Sequence, residues 1–143
     1  MDCALAQAEA ARDRGEVPVG AVIVSADGEI LAETGNETLM RRDPTAHAEL
    51  IAIRAACAKL DQERLIGCDL YVTLEPCAMC AAAISFARIR RLYFGAPDPK
   101  GGAVEHGPRF FQQSTCHHAP EVIAGMGETR AAALLTDFFA ARR

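Results

Sequence analysis

The chain has 143 residues, a formal net charge of −4 and a hydrophobic content of 50%. Its length fits one domain with a single core, which excludes a multi-domain assembly, and its composition excludes a disordered or a strongly basic protein. No apolar run reaches the ~20 residues that a membrane span needs, and the first residues carry no signal-peptide pattern. We therefore expect one cytoplasmic domain over residues 1–143.

Six cysteines stand at positions 3, 57, 68, 77, 80 and 116. Most of them lie in apolar stretches that can form a core without cross-links, whereas disulfide scaffolds are typical of small secreted domains that cannot. We therefore expect reduced thiols or a metal site.

The first half of the chain predicts a helix, a β-hairpin and a second helix. Strong helix formers fill residues 4–14. Extended runs over 19–25 and 29–34 flank the turn dipeptide Asp27-Gly28, a pattern typical of a hairpin. Residues 43–60 begin with a capping residue and a proline and then repeat apolar side chains at helical spacing, which predicts the second helix.

The second half continues the alternation of strands and helices. Residues 97–120 are rich in proline, glycine and polar side chains and predict a long functional loop. The resulting order of elements indicates an α/β fold. The other predicted elements are strands over 70–74, 92–94 and 122–124 and helices over 77–88 and 128–143.

Two short stretches, 47–49 and 76–80, carry the chemistry, and each falls at the start of a predicted helix. Cys77 and Cys80 are three residues apart, so both sulfurs lie on one helix face, where the helix dipole favours thiolates. His47 adds an imidazole. One nitrogen and two sulfurs leave the fourth position of a tetrahedral Zn²⁺ to water, which is typical of a catalytic zinc site.

Glu49 lies two residues beyond His47 and can reach the open position of such a site. A carboxylate there takes the proton of a zinc-activated water and delivers it to a leaving group. The pattern H-x-E followed by P-C-x-x-C is the signature of zinc nucleobase deaminases. The sequence therefore predicts a hydrolytic deaminase.

The chain resembles the bacterial tRNA-specific adenosine deaminases of the cytidine deaminase-like superfamily through residues 16–22, 43–49, 70–80 and 134–139. The resemblance implies a three-layer α-β-α fold with a central mixed five-stranded sheet, one Zn²⁺ per subunit and a homodimer. It also implies conversion of the wobble adenosine in a tRNA anticodon stem-loop to inosine, with release of ammonia. Neither a membrane nor DNA is an expected partner.

The resemblance also assigns roles by position. The implied zinc ligands are His47, Cys77 and Cys80, and the implied proton shuttle is Glu49. The residues that correspond to substrate contacts are Asn36, Ala48, Asp98 and Lys100. Asn36 corresponds to an asparagine that hydrogen-bonds the flipped base.

Three alternatives stay open at this stage. A free-base deaminase such as a guanine deaminase fits the same motifs, because guanine deaminases also resemble residues 43–49. A redox pair would need only Cys77 and Cys80. A structural, non-catalytic zinc site in an RNA-binding module would need a fourth ligand, for which Cys116, His117 and His118 are the available candidates.

The acidic net charge opposes long-range attraction of RNA phosphates, so a local basic surface is needed. We expect several basic residues to share the face of the metal site. The candidates are Arg41, Arg42, Arg88, Arg90, Arg91, Lys100, Arg142 and Arg143.

Overall fold

The computed structural model describes all 143 residues and contains every helix and strand that the sequence predicts. The strands are β1 (Gly20–Val24), β2 (Ile30–Gly35), β3 (Asp69–Leu74), β4 (Arg91–Ala96) and β5 (Glu121–Ala124). The helices are α1 (Asp2–Asp13), α2 (Thr38–Arg41), α3 (Ala48–Leu60), α4 (Ala78–Phe86) and α5 (Glu128–Ala140). A single 3-10 turn, Phe110–Gln112, lies in the long predicted loop.

The five strands form one mixed sheet in the order β2-β1-β3-β4-β5. Strand β1 is antiparallel to β2 and β3, whereas β3, β4 and β5 run parallel. The register pairs Asp69 with Arg91 and Leu74 with Ala96. The chain segments that leave β3 and β4 therefore emerge at the same edge of the sheet.

Helices cover both faces of the sheet, which confirms the predicted three-layer α-β-α fold. The main core lies between the sheet and the apolar sides of α3 and α4. Helix α1 packs on the opposite face so closely that a Cβ atom at Gly20 would lie 1.9 Å from the carbonyl oxygen of Ala4. None of the helices combines the length and the apolar character that crossing a bilayer requires.

The second predicted helix begins later than its sequence suggests. The Asp43 carboxylate accepts hydrogen bonds from the backbone N–H and the hydroxyl of Thr45, at 2.8 and 2.6 Å. This local turn competes with the first turn of a helix, as short polar side chains commonly do. Helix α3 therefore starts only at Ala48, and His47 has an extended backbone.

Candidate metal centre

The fold brings the amino ends of two helices together. His47 is the residue that precedes α3, Cys77 is the residue that precedes α4, and both have extended backbones. Cys80 lies in the first turn of α4 and is buried. The positive end of a helix dipole favours anionic groups, so this junction is suited to thiolates.

The three side chains point their ligand atoms at one another. The Nδ1 atom of His47 lies 3.6 Å from the Sγ atom of Cys77 and 3.4 Å from that of Cys80, and all three atoms lie within 4.8 Å. A tetrahedral zinc ion with bonds of about 2.0 Å to nitrogen and about 2.3 Å to sulfur separates these atoms by about 3.5 Å. The arrangement therefore fits zinc.

The two thiols hold their protons unequally. Hydrogen bonds from Cys80 and His47 lower the pKa of Cys77 to about 4. The hydrogen bond to Cys77, together with burial, raises the pKa of Cys80. The pKa of His47 is also raised, chiefly by its hydrogen bond to the Cys77 sulfur. A metal ion binds deprotonated sulfur, so metal binding at this site releases protons.

Glu49 lies in the first turn of α3 and is only 4% exposed. Burial raises the pKa of Glu49 to about 7. A carboxyl group with such a pKa can both accept and release a proton near neutral pH, as a general acid or base must. Glu49 lines the same cavity as His47 and Cys77 but is not one of the three close ligand atoms.

A cavity of about 270 Å³ opens beside the three ligands. Asn36 lines it and is 7% exposed, and no protein group hydrogen-bonds its side-chain amide. The amide is therefore available to a polar ligand that enters the cavity. The other residues of the lining are Val17, Val19, Thr38, His47, Glu49, Leu74, Glu75, Cys77, Asp98 and Gly101.

The other three predicted substrate contacts occupy different environments. Asp98 lines the cavity, but its carboxylate accepts the N–H groups of Lys100 and Gly101 at 3.2 and 3.0 Å and so shapes its own turn. Lys100 lines a second, adjoining cavity. Ala48 is fully buried and lies outside the cavity lining, and its carbonyl accepts a hydrogen bond from the Thr34 hydroxyl at 2.7 Å.

Two buried carboxylates that the sequence analysis did not single out support the cavity walls. Glu16 accepts the N–H groups of Leu39 and Met40 at 3.1 and 2.9 Å, beside the cavity residue Thr38. Burial alone raises the pKa of Glu75, but hydrogen bonds from the backbone of Asp98 and other donors outweigh burial and lower it. The partners are mostly backbone N–H groups, which leave no signal in a sequence.

The Cys116 region does not supply a fourth ligand. The Cys116 thiol lies 3.6 Å from the Ser85 hydroxyl and donates to the carbonyl of His118 at 3.2 Å. His118 in turn contacts the carbonyl of Ile89 through Nε2 at 2.7 Å. Only His47, Cys77 and Cys80 form a cluster of close ligand atoms, so the four-ligand alternative is not formed.

The predicted basic face is smaller than the sequence suggests. Arg90 precedes β4 and Arg91 begins it, at the edge of the sheet opposite the metal-binding cluster, where Arg90 pairs with Asp69 and Arg91 with Glu121. Arg41 pairs with Glu37 on the surface. The basic residues that line the cavity adjoining the metal site are Lys100, Arg142 and Arg143.

Comparisons with known proteins point in one direction. The family model described as the cytidine and deoxycytidylate deaminase zinc-binding region matches residues 1–96. A tRNA-specific adenosine deaminase of Agrobacterium fabrum is 62% identical over 143 residues, which are 100% of this chain and 93% of that protein. One of Bacillus subtilis is 42% identical over 139 residues, covering 97% and 86% of the two chains.

Two solved structures share the fold. One, from a study of A-to-I editing by tRNA:A34 deaminases at the wobble position of transfer RNA, has a TM-score of 0.93 and 63% identity, covering 94% of this chain and 97% of that one. The other is a guanine deaminase of Bacillus subtilis, with a TM-score of 0.65 and 32% identity, covering 99% and 90%.

We predict that Cys80→Ala purifies with little zinc and unfolds at a lower temperature than the wild type, because only two protein ligands remain. Cys116→Ala, the matched control, removes a thiol outside the cluster and should keep its zinc. Metal analysis by mass spectrometry and thermal unfolding test both variants. Zinc loss in Cys116→Ala would contradict the three-ligand assignment.

Proposed function

This chain belongs to the tRNA-specific adenosine deaminases of the cytidine and deoxycytidylate deaminase family, and on that premise we propose how its residues act. The enzyme binds one zinc ion per subunit and deaminates the wobble adenosine of a tRNA anticodon to inosine. We assign the zinc ligands to His47, Cys77 and Cys80. The observation that carries this assignment is the convergence of their three ligand atoms within 4.8 Å beside a buried carboxyl group.

The reaction replaces the C6 amino group of adenine by oxygen from water and releases ammonia. When bound, zinc acidifies a water molecule and so supplies a nucleophile at neutral pH. Glu49 takes one proton from the attacking water and transfers it to N1 of adenine. It then takes the second proton from the new C6 hydroxyl and delivers it to the amino group, which leaves as ammonia while the C6–O bond becomes the carbonyl of inosine. A pKa of about 7 suits each of these transfers, because the carboxyl group exchanges its proton at little cost near neutral pH.

The base is oriented by the cavity. We assign a hydrogen bond with the purine ring to the side-chain amide of Asn36, which has no protein partner. The apolar side chains of Val17, Val19 and Leu74 line the same cavity and can contact the faces of the ring. A wobble base is already unpaired in its loop, so turning it into the cavity costs less than extracting a base from a duplex.

We predict that the enzyme converts adenosine to inosine in an anticodon stem-loop and leaves free adenosine and free guanine essentially unchanged. Contacts with the loop outside the cavity supply binding energy that a free base lacks. Ammonia release and inosine content, measured with equal amounts of each substrate, give the answer. Efficient release of ammonia from free guanine would replace this assignment with that of a free-base deaminase.

Glu49→Gln tests the proton shuttle in the same assay and also shows whether the measured deamination comes from this site. The amide keeps the size of the side chain but cannot shuttle protons, so turnover should fall by at least the 10²- to 10⁴-fold that general acid-base catalysis contributes. Its zinc content should equal that of the wild type, since Glu49 is outside the ligand cluster. Loss of zinc or near-normal turnover would contradict the shuttle role.

We assign the RNA-binding surface to the cavity that adjoins the metal site. Lys100 and Arg143 line it, and neither has a salt-bridge partner. Arg142 is different, because its guanidinium lies 3.4 Å from the centre of the Phe138 ring and contacts the carbonyls of Phe138 and Gly15. Lys100 and Arg143 are therefore the better candidates for phosphate contacts.

We predict that Lys100→Gln/Arg143→Gln weakens stem-loop binding and flattens its salt dependence. Each lost phosphate contact lowers the slope of log affinity against log salt by about 0.7 for single-stranded RNA. Lys59→Gln/Arg64→Gln removes the same charge from exposed positions near the carboxyl end of α3, far from the metal, and should keep the slope. Equal slopes in both double variants would contradict the assignment.

We further propose a homodimer, formed through the outer surface of α3 and α4. A groove between these helices is lined by six apolar side chains in addition to Arg54, and one of the six, Phe86, is 71% exposed. Exposed apolar patches of this kind mark protein interfaces. Both helices begin at the metal ligands, so a partner bound here would lie close to the active site. The apolar residues are Leu50, Ile53, Met79, Ala82, Ala83 and Phe86.

We predict that the wild type elutes as a dimer and that Phe86→Glu shifts it to a monomer that keeps its zinc. A buried, unpaired carboxylate strongly opposes association at an apolar contact. Size-exclusion chromatography with light scattering measures both masses. Ile66→Glu places the same charge at another exposed apolar residue, 74% exposed, and should leave the dimer intact. A monomeric wild type would contradict the proposal.

We also propose that residues 1–143 form a single domain that acts in the cytoplasm. One sheet runs from β2 to β5 and carries α1 and α5 on one face and α3 and α4 on the other. The six cysteines are free, which suits a reducing compartment.

A further inference from the structure

Glu75 links the metal site to the segment that follows β4. It lies one residue after β3 and two residues before Cys77, and its side chain is fully buried. Its Oε2 atom accepts the N–H groups of Val104, Glu105 and His106 at 3.2, 3.0 and 3.1 Å. Its Oε1 atom accepts the N–H of Asp98 at 3.0 Å and contacts Nδ1 of His106 at 2.7 Å.

All of these donors belong to residues 98–106, here called the 98–106 segment. No lysine or arginine pairs with Glu75, so the carboxylate is stabilised by four backbone N–H groups and the His106 imidazole of this segment. A buried carboxylate without such donors is costly, and buried N–H groups without an acceptor are costly too. The carboxylate and the segment therefore stabilise each other, and the position of the segment is tied to that of the Glu75 side chain.

Gly102 shows how closely the two parts pack. A Cβ atom there would lie 2.4 Å from Oε2 of Glu75 and 2.5 Å from the carbonyl oxygen of Asp98. The Gly102 N–H also donates to that Asp98 carbonyl at 2.9 Å. The segment is thus wrapped around the carboxylate with no space for a side chain at its centre.

The 98–106 segment carries groups of both cavities. Asp98 and Gly101 line the metal cavity, and Lys100 lines the adjoining cavity assigned to RNA. The Asp98 carboxylate binds the N–H groups of Lys100 and Gly101, so these residues form one turn. A shift of this turn would move the Lys100 ammonium relative to the metal.

We propose that Glu75 is a positioning residue for the RNA substrate, which holds the 98–106 segment so that Lys100 meets a phosphate while the target base occupies the metal cavity. The inference rests on the proposed function. It gives Glu75 a role separate from that of Glu49, since Glu75 moves no proton and its oxygens are occupied by the protein. Its effect on the substrate passes through Lys100.

The sign of the effect separates this role from simple electrostatics. Glu75→Gln removes a negative charge beside the RNA-binding surface, which by itself would strengthen attraction to phosphates. The amide also brings an N–H₂ group against backbone donors, which displaces the 98–106 segment. Positioning therefore predicts weaker stem-loop binding and a salt slope that falls by about 0.7, as in Lys100→Gln.

The test is a double-variant comparison of Glu75→Gln, Lys100→Gln and their combination. Stem-loop affinity at several salt concentrations, KM and kcat are measured on zinc-loaded protein. We expect each single variant to raise KM by roughly tenfold and the combination to raise it no further, because groups acting through one contact are not additive. The proposal would be overturned if Glu75→Gln bound the stem-loop with the affinity and salt slope of the wild type. It would also be overturned if the KM of the combined variant rose by the product of the two single effects.

Glu16→Gln is the matched control. Glu16 is the other buried carboxylate that binds backbone N–H groups beside the cavity, but its partners lie around α2. Its KM effect should multiply with that of Lys100→Gln, and its salt slope should equal that of the wild type. If the combination of Glu16→Gln with Lys100→Gln also raises KM no further than Lys100→Gln alone, loss of any buried carboxylate would explain the result and the proposal fails.

A second variant covers the case in which Glu75→Gln loses zinc or does not fold. Gly102→Ala places a methyl group against the Glu75 carboxylate and the Asp98 carbonyl, and so displaces the same segment without substituting Glu75 or a metal ligand. It should reproduce the lower slope and the lack of additivity with Lys100→Gln. An unchanged slope in Gly102→Ala would overturn the proposal. The wild-type protein is tested for deamination of the stem-loop in the same assay. If it deaminates the stem-loop, the proposed function holds whatever the Glu75 and Gly102 variants show, so failure of one proposal is distinguishable from failure of the other.

Discussion

The metal site depends on an arrangement that is unfavourable by itself, in which the positive ends of α3 and α4 face one another. Helix dipoles that meet at their amino ends repel, and the repulsion is screened less in a partly buried site than at the surface. Negative charge at the junction removes this cost. The Cys77 thiolate provides it, since its pKa is lowered to about 4 and it lies directly before α4. The same side chain therefore serves both metal binding and helix packing.

The cavity beside the metal is shaped by loops, which are stabilised by anions in place of apolar packing. Glu16 binds the amino end of α2 on one side, and Glu75 binds the 98–106 segment on the other. Both side chains are buried, and their hydrogen bonds come mainly from backbone groups. Such contacts fix loop position through several directional bonds, so the walls are held in place although few of their side chains reach the core.

The sequence predicts the order of elements well, and it predicts which three metal-binding side chains the fold brings together, because both depend on local patterns. The hairpin follows from Asp27-Gly28 between extended runs, and the ligands follow from His47, Cys77 and Cys80 at helix starts. Helix α2 has no such signal, since it has only four residues and no buried side chain. Its stability comes from Glu16, more than twenty residues earlier in the chain.

Charge was the least predictable property of the site. Arg90 and Arg91 are close in sequence to the α4 helix, but parallel pairing of β3 and β4 puts them at the far edge of the sheet. Both also pair with carboxylates. Lys100 and Arg143, by contrast, are far from each other in the sequence but line the same cavity. The topology of the fold, and not closeness in sequence, decides which of these cations line the cavity beside the metal site.

The spacing of the ligands along the chain has a consequence for folding. Cys77 and Cys80 lie close together at the start of one helix, but His47 is 30 residues earlier than Cys77. The groups that donate hydrogen bonds to Glu75 extend to His106, which is 31 residues later than Glu75. Closing such loops costs entropy before any contact is gained. During synthesis the ligand set is complete once α4 has been made, whereas the wall of the cavity needs a further stretch of chain. The side chains that can hold a metal are therefore all synthesised before the cavity wall that Glu75 holds in place.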